Sequence, residues 1–479
     1  MKTVMLIVLI VMASVASGQT VDTAVYKVTF DASREFVKVS ATIPMTGKML
    51  SMYVNPTPSI ADGQASFVRN LKIKSIAGDE LPLKYKGLGD WTVSGKIPAN
   101  LMLEYEVRLD HQKHAWDFGI EEVSYVTEDG VFMIGSSLFI ISDVRSSFKV
   151  IFDVPADWNV STPWQKTGAN EFVVDNRREL LYNTIFAGTH TEEVIDVDGL
   201  HLVLVMGSEY KSAKQLFESK LIPTIKQFNQ VFGGSLGGKY MAVVNKGNMT
   251  DGGAFLNSYS MVIEGPATEA GSVVWAHGMS HEICHLWNGI SIQPAGQDEW
   301  FKEGFTDYIT FVAMKRAGVI SEELALKRLE NSYRKYLLAK MMMGTTSTLK
   351  DAGEAKAENR LLIYGGGAIV AFGLDVEIRV STHNKQNLDN IMAELYRDFA
   401  KTGKNYSMED LIMISSRIAD KDMRPFFERF VTGKEMFPMN EYLKKAGLQM
   451  HTFVEEIYIS KSDASTASEK QIGSDLFGL

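Results

Sequence analysis

From Thr23 to about Met206 apolar and polar residues alternate with the two-residue period of half-buried strands. Val25, Lys27 and Thr29 alternate with Tyr26, Val28 and Phe30, and residues 36–43, 101–109, 150–154 and 202–205 are further β-rich runs. Asp129-Gly130 and Pro155-Ala156-Asp157 are turn signals between them. Several short strands of this kind predict an all-β sandwich. The period changes near Ser208. Leu216, Phe217, Leu221, Ile225, Phe228 and Val231 recur at helical spacing. Residues 240–245 predict a strand, 254–263 an edge strand, and 322–340 a helix. The fold class is α+β, with a β domain over residues 19–206 and a mainly α domain over 207–458. Residues 459–479, with the stretch SKSDASTASEK, are read as a polar tail and are expected to be disordered.

Composition sharpens this picture in three places. The chain starts Met1-Lys2-Thr3, continues with a charge-free apolar run over residues 4–12, and reaches small residues over 13–18. That is the pattern of a secretory signal peptide over residues 1–18, too short for a stable membrane anchor. The expectation is an exported protein, periplasmic or secreted, with an uncleaved anchor as the alternative. Cys284 is the single cysteine, so an intramolecular disulfide is excluded; a chain of 479 residues can bury enough core without one. The net charge of −9 is spread without a basic run, which argues against a nucleic-acid partner. Gly233 to Lys239 (GGSLGGK) superficially resembles a phosphate loop. It is expected to be a plain connection, because Tyr240 replaces the magnesium-binding hydroxyl and the order is helix–loop–strand. Met341, Met342 and Met343 are expected to pack.

The chemistry concentrates between His277 and Asp307, where His281-Glu282-Ile283-Cys284-His285 forms HExxH. Residues four apart share a helix face, so His281 and His285 can aim two imidazoles at one point. A zinc ion takes such nitrogens and a carboxylate, keeping one position for water. Glu282 is placed to take the proton from that water. Val274, Trp275, Met279, Ile283, Leu286 and Trp287 make the helix apolar nearly all round, which predicts burial. Gly289 is a helix stop, and Asp298 can cap a second helix with a Phe301, Phe305, Tyr308, Val312 stripe ending near Gly318. Glu303 lies one turn into that helix. Asp307, on the same face, can accept the free N–H of a metal-bound imidazole. The alternative is a buried helix with two satisfied core histidines. Cys284 points about 100° around the helix from His285 and is read as a small buried hydrophobe. His277 is read as packing or as a neighbour of the ligands, and His111 and His114 as surface residues.

HEICHLWN followed by WFKEGFTDY resembles the glycyl-aminopeptidase-like gluzincins, metallopeptidase family 61, relatives of the aminopeptidase N family. YGGGAIVAFGLDVEIR (364–379), FFERFVTG (426–433) and YLKKAGL (442–448) resemble further stretches of that family. The resemblance implies a thermolysin-like catalytic domain with one Zn2+ on His281, His285 and Glu303, and Glu282 as base. It also implies Tyr364 as the oxyanion donor, although the family's lysine two residues later is replaced by glycine. The implied function is a zinc metallopeptidase acting on peptide or protein substrates. A catalytically weak or inactive zinc-fold protein acting as a peptide-binding module is the alternative. The family's Gly-rich edge strand, with a Glu for the substrate amine, corresponds to Gly252 to Ser258. Here Gly253, Ala254, Phe255 and Leu256 are the expected substrate-binding stretch, and the carboxylate position falls on Phe255 or Leu256. Either Glu264 or Asp251 replaces it, or a free amine is not required.

Overall fold

The computed structural model describes residues 23–30, 34–56, 59–110, 123–144, 146–248, 250–344, 346–453 and 456–477. The expected signal peptide and the pair His111 and His114 lie outside the described residues. Among the described residues no helix is long and apolar enough to cross a membrane.

The N-terminal unit is built of β-sheets. Its largest has seven strands in the order Gln165–Lys166, Glu171–Val174, Ser147–Asp153, Thr23–Phe30, Phe36–Pro44, Asn100–Arg108 and Val68–Ser75. The alternation is the cause: Ala24, Tyr26, Val28 and Phe30 are buried, while Thr23 and Lys27 face water. Two four-stranded sheets cover the same core.

The second unit begins earlier than the expected boundary at 206/207. Thr191–Val197 and Leu200–Met206 belong to a five-stranded sheet that continues with Gly238–Gly247, Ser258–Glu264 and Asp251–Ala254. Alternation identifies a strand but not its sheet. Leu200–Met206 runs parallel to Gly238–Gly247, and the helix Lys214–Val231 makes the crossover that parallel strands require. The edge strand also differs from expectation. Ser258–Glu264 lies inside the sheet, and Asp251–Ala254 is the edge. Tyr125, Phe132 and Phe186 of the first unit pack on Val203, Val205, Met241 and Val243 of the second. Each such buried side chain contributes about 1.5–3 kcal/mol relative to exposure. The first unit also accepts a backbone bond from Leu256 N–H at the Tyr182 carbonyl (2.9 Å), holding the chain that leaves the edge strand.

The remainder is mainly helical around one large core. The polar tail is ordered, contrary to expectation. Glu456–Lys461 pairs with Leu448–Phe453, and the helix Ala467–Phe477 buries Ile472, Leu476 and Phe477. Thr466 and Glu469 start that helix as a reciprocal cap, with Glu469 N–H donating to Thr466 Oγ1 at 3.3 Å and Thr466 N–H donating to Glu469 Oε2 at 2.7 Å. Three apolar residues at helical spacing outweigh a polar average.

Candidate active site

The helix Ser272–Cys284 carries His277, His281 and Glu282, and His285 is its helical C-cap. Trp275, Met279, Ile283 and Cys284 bury its inner face. Val274 departs from the expected all-round burial. It is 54% exposed and stands at the mouth of a cleft. Cys284 is buried and free, and burial pushes its thiol pKa up, so it acts as a small hydrophobe.

Glu303 comes from a π-helical turn, Trp300–Phe305, that runs into the α-helix Thr306–Arg316. The sequence pattern implied one continuous α-helix; the wider turn re-aims Glu303 while keeping the apolar stripe buried. Asp298 does not cap with its side chain. Its Oδ1 accepts bonds from Trp300 Nε1 (3.1 Å) and Lys350 Nζ (2.6 Å).

His281, His285 and Glu303 are buried, and one donor atom from each lies within 4.8 Å of the others. Glu303 Oε2 is 3.2 Å from His285 Nε2 and 3.5 Å from His281 Nε2. The opposite ring nitrogens are oriented. His285 Nδ1 donates to the Asn288 carbonyl (2.9 Å), and His281 Nδ1 faces Asp307 Oδ1 at 3.5 Å. Both Nε2 atoms therefore face the Glu303 carboxylate, so that a cation between them would meet two imidazole nitrogens and one carboxylate oxygen. Two imidazoles and one carboxylate oxygen converging in this way fit a zinc ion with an open position.

The electrostatics agree with a cation there. Burial works against charge on His281, yet Asp307, Glu303 and Glu282 push its pKa up to about 10. Burial also opposes ionisation of Glu303, but His285, His281 and Lys356 hold it well below the ordinary range. Asp307 is likewise lowered, its burial outweighed by the imidazoles of His281 and His277. A bound divalent cation satisfies the same field and takes the place of the proton. His277 stays neutral: burial and the Arg328 charge lower its pKa to about 3, against the pull of Asp307, whose Oδ1 is 3.4 Å away.

Tyr364 lies on another π-helical turn, Leu362–Gly366. Its ring stacks over His281 at 6.0 Å. Burial and the carboxylates of Glu303 and Glu282 raise its pKa, so the phenol keeps its proton and can donate. Glu282, His281 and Tyr364 line a cleft of about 580 Å³ whose edge-strand wall is Thr250, Asp251 and Gly252. The expected stretch Gly253, Ala254, Phe255 and Leu256 is not part of that lining. Its backbone instead closes the ladder through Phe255 N–H to the Ser258 carbonyl (2.8 Å) and docks on Tyr182. Of the two replacement acids, Asp251 lines the cleft; Glu264 lies exposed at the end of an inner strand.

Two participants escaped the pattern. Asn288 bonds His285 through its carbonyl and ties the histidine helix to the next through its amide, at Phe301 O and Thr306 Oγ1 (both 3.1 Å). It sits within HLWN, but a carbonyl contact has no residue-type signature. Lys356 Nζ holds Glu303 Oε1 at 2.6 Å, and its 53-residue separation left nothing to read.

This fold and site define a zinc metallopeptidase class. Residues 25–189 match the N-terminal domain of peptidase family M61 and residues 275–358 match M61 glycyl aminopeptidase. The two stretches take in more than half of the chain, which belongs to the M61 glycyl aminopeptidase family. Among curated proteins none matches the sequence. Solved structures are similar in fold. An aminopeptidase N family protein from Idiomarina loihiensis has 20% identity and a TM-score of 0.78, covering 90% of this chain and 79% of that one. An M1 zinc metallopeptidase from Deinococcus radiodurans has 12% identity and a TM-score of 0.57, covering 88% and 95%.

Proposed function

We infer that this protein is an exported peptidase that hydrolyses peptide bonds with one zinc ion held by His281, His285 and Glu303. The observation that carries this reading is the convergence of the three donor atoms within 4.8 Å, beside a cleft that also receives Glu282 and Tyr364. Bound there, zinc supplies a Lewis acid and a water of lowered pKa. Glu282 accepts the water proton and returns it to the leaving amine. Tyr364 donates to the oxyanion. Asp307 and the Asn288 carbonyl keep the imidazoles turned. Asp251–Ala254, an edge strand, leaves one row of backbone groups for an extended peptide. Asp251 is the edge-strand carboxylate available to a substrate amine, which supports aminopeptidase action.

The test is metal content and hydrolysis of a peptide set by wild type and Glu282→Gln. Near-stoichiometric zinc in both is expected, with kcat lowered at least about 10²-fold in the variant. Equal turnover in the two would sink the reading. An acetylated peptide should be cleaved more slowly than its free-amine twin, and Asp251→Asn should shrink that difference. N-terminal sequencing of exported material tests export; a chain beginning at Met1 in the cytosol would overturn it.

A further inference from the structure

The chain carries 58 acidic against 49 Lys and Arg residues, yet one wall of the cleft is cationic. Arg328, Arg334 and Lys335 project from the helix Glu322–Leu337, and Arg360 joins them from the approach to the Tyr364 turn. Among the described residues none of the four has a carboxylate within ion-pair distance, although the chain forms many ion pairs elsewhere. Arg328 donates to the Val273 carbonyl, and Arg334 to Asn331 Oδ1 at 2.8 Å. Arg328, Arg334 and Lys335 are half-buried. They stand close to the chemistry: the Arg360 guanidinium lies over the Tyr364 ring at 5.4 Å, and the charges of Arg328 and Lys335 are felt at His277 and Asp307. Asp307 is near enough to interact electrostatically with Arg328 and Lys335, but among the described residues no acid of the cleft comes within ion-pair distance of this wall. Asp307 faces His277 and His281, Glu282 flanks the ligands, and Asp251 lies on the edge strand. Half-buried cations without a carboxylate in direct contact are under-compensated in the free protein, and an arriving anion can pair with them.

We propose that Arg334, Lys335 and Arg360, backed by Arg328, form a subsite for a carboxylate of the peptide substrate. This rests on the peptidase reading and names the substrate class: acidic peptides, or short peptides whose C-terminal carboxylate reaches the wall. The same cleft also holds Asp251, so it offers a carboxylate for a peptide amine as well as cations for a peptide carboxylate.

The experiment uses the zinc-loaded full chain and peptides that differ only by Glu against Gln at each position around the cleaved bond, each as C-terminal acid and amide. At least one carboxylate member should be favoured in kcat/KM by about tenfold or more. The arm that responds distinguishes a side chain from a C-terminus. In Arg334→Gln/Lys335→Gln that ratio should fall to within about twofold, with zinc still bound. If the double variant misfolds, Arg360→Gln, at an exposed position, must still lower the ratio. Ratios within about twofold in wild type, or unchanged in the variants, overturn the subsite while leaving the peptidase intact. Binding of the same peptides to Glu282→Gln separates the remaining case. Carboxylate-selective binding without any cleavage by wild type supports the subsite and removes the peptidase reading; binding indifferent to the carboxylate removes the subsite.

Discussion

Gly304 and Gly367 meet backbone to backbone. A Cβ on Gly304 would lie 2.3 Å from the Gly367 Cα, and one on Gly367 would lie 2.2 Å from the Trp300 carbonyl oxygen. Through this crossing the turn bearing Glu303 and the turn bearing Tyr364 reach one site. It also gives a reason for Tyr364-Gly-Gly-Gly. A Cβ on Gly365 would meet the Ser332 carbonyl at 2.6 Å, and one on Gly366 would meet Leu349 at 2.9 Å.

Gly304→Ala is therefore expected to destabilise the protein by about 1–3 kcal/mol through overpacking and to weaken zinc binding by displacing Glu303. Thermal unfolding with and without zinc checks both. An unchanged Tm in each state would show that the crossing relaxes freely.

Asp307→Asn removes the charge facing His281 Nδ1. Zinc affinity should fall about 10–100-fold, the usual effect of losing such a partner. Competition with a chelator measures it. His285→Ala removes a ligand outright and should leave little bound metal; a full complement in that variant would refute the ligand set.

Tyr364→Phe keeps the ring over His281 and loses the donor. The expected result is kcat lower by about 10²–10³-fold with little change in KM. Because the phenol pKa is raised, its ionisation should not limit wild-type activity near neutral pH. Full activity in the variant returns Tyr364 to a packing role.

His190, in the first unit, is 4% exposed and its Nε2 lies 2.5 Å from Ser161 Oγ. Burial lowers its pKa from 6.5 to about 4, against the charges of Glu192 and Asp129. The unfolded chain binds this proton near 6.5 and the folded chain only near 4, so between those values unfolding takes up protons. The contribution is complete above pH 6.5 and is lost as pH falls toward 4. At its fullest it is worth about 3 kcal/mol. Denaturant titrations at pH 7 and 4 should show a smaller loss in His190→Gln than in wild type; parallel losses would assign the acid sensitivity to other groups.

The sequence by itself determined the elements whose signal is local. Two-residue alternation located Thr23–Phe30, Phe36–Pro44 and Asn100–Arg108, and four-residue spacing placed His281 and His285 on one face. These hold because backbone periodicity sets which side chains share a face. Residue type also named Glu282, Glu303 and Asp307, since few side chains can serve a metal. Even a missed local signal was present: Thr466-Ala467-Ser468-Glu469 is a capping box ahead of Ile472 and Leu476. What only the tertiary structure decided depends on contacts between distant segments. The sheet to which Leu200–Met206 belongs follows from its partner Gly238–Gly247, and the edge position of Asp251–Ala254 from strand order. The grip of Lys356 on Glu303, the crossing of Gly304 with Gly367 next to the Tyr364 turn, and the gathering of Arg328, Arg334, Lys335 and Arg360 in one cleft arise from packing in three dimensions. A linear pattern records which faces are apolar. It does not record which faces meet.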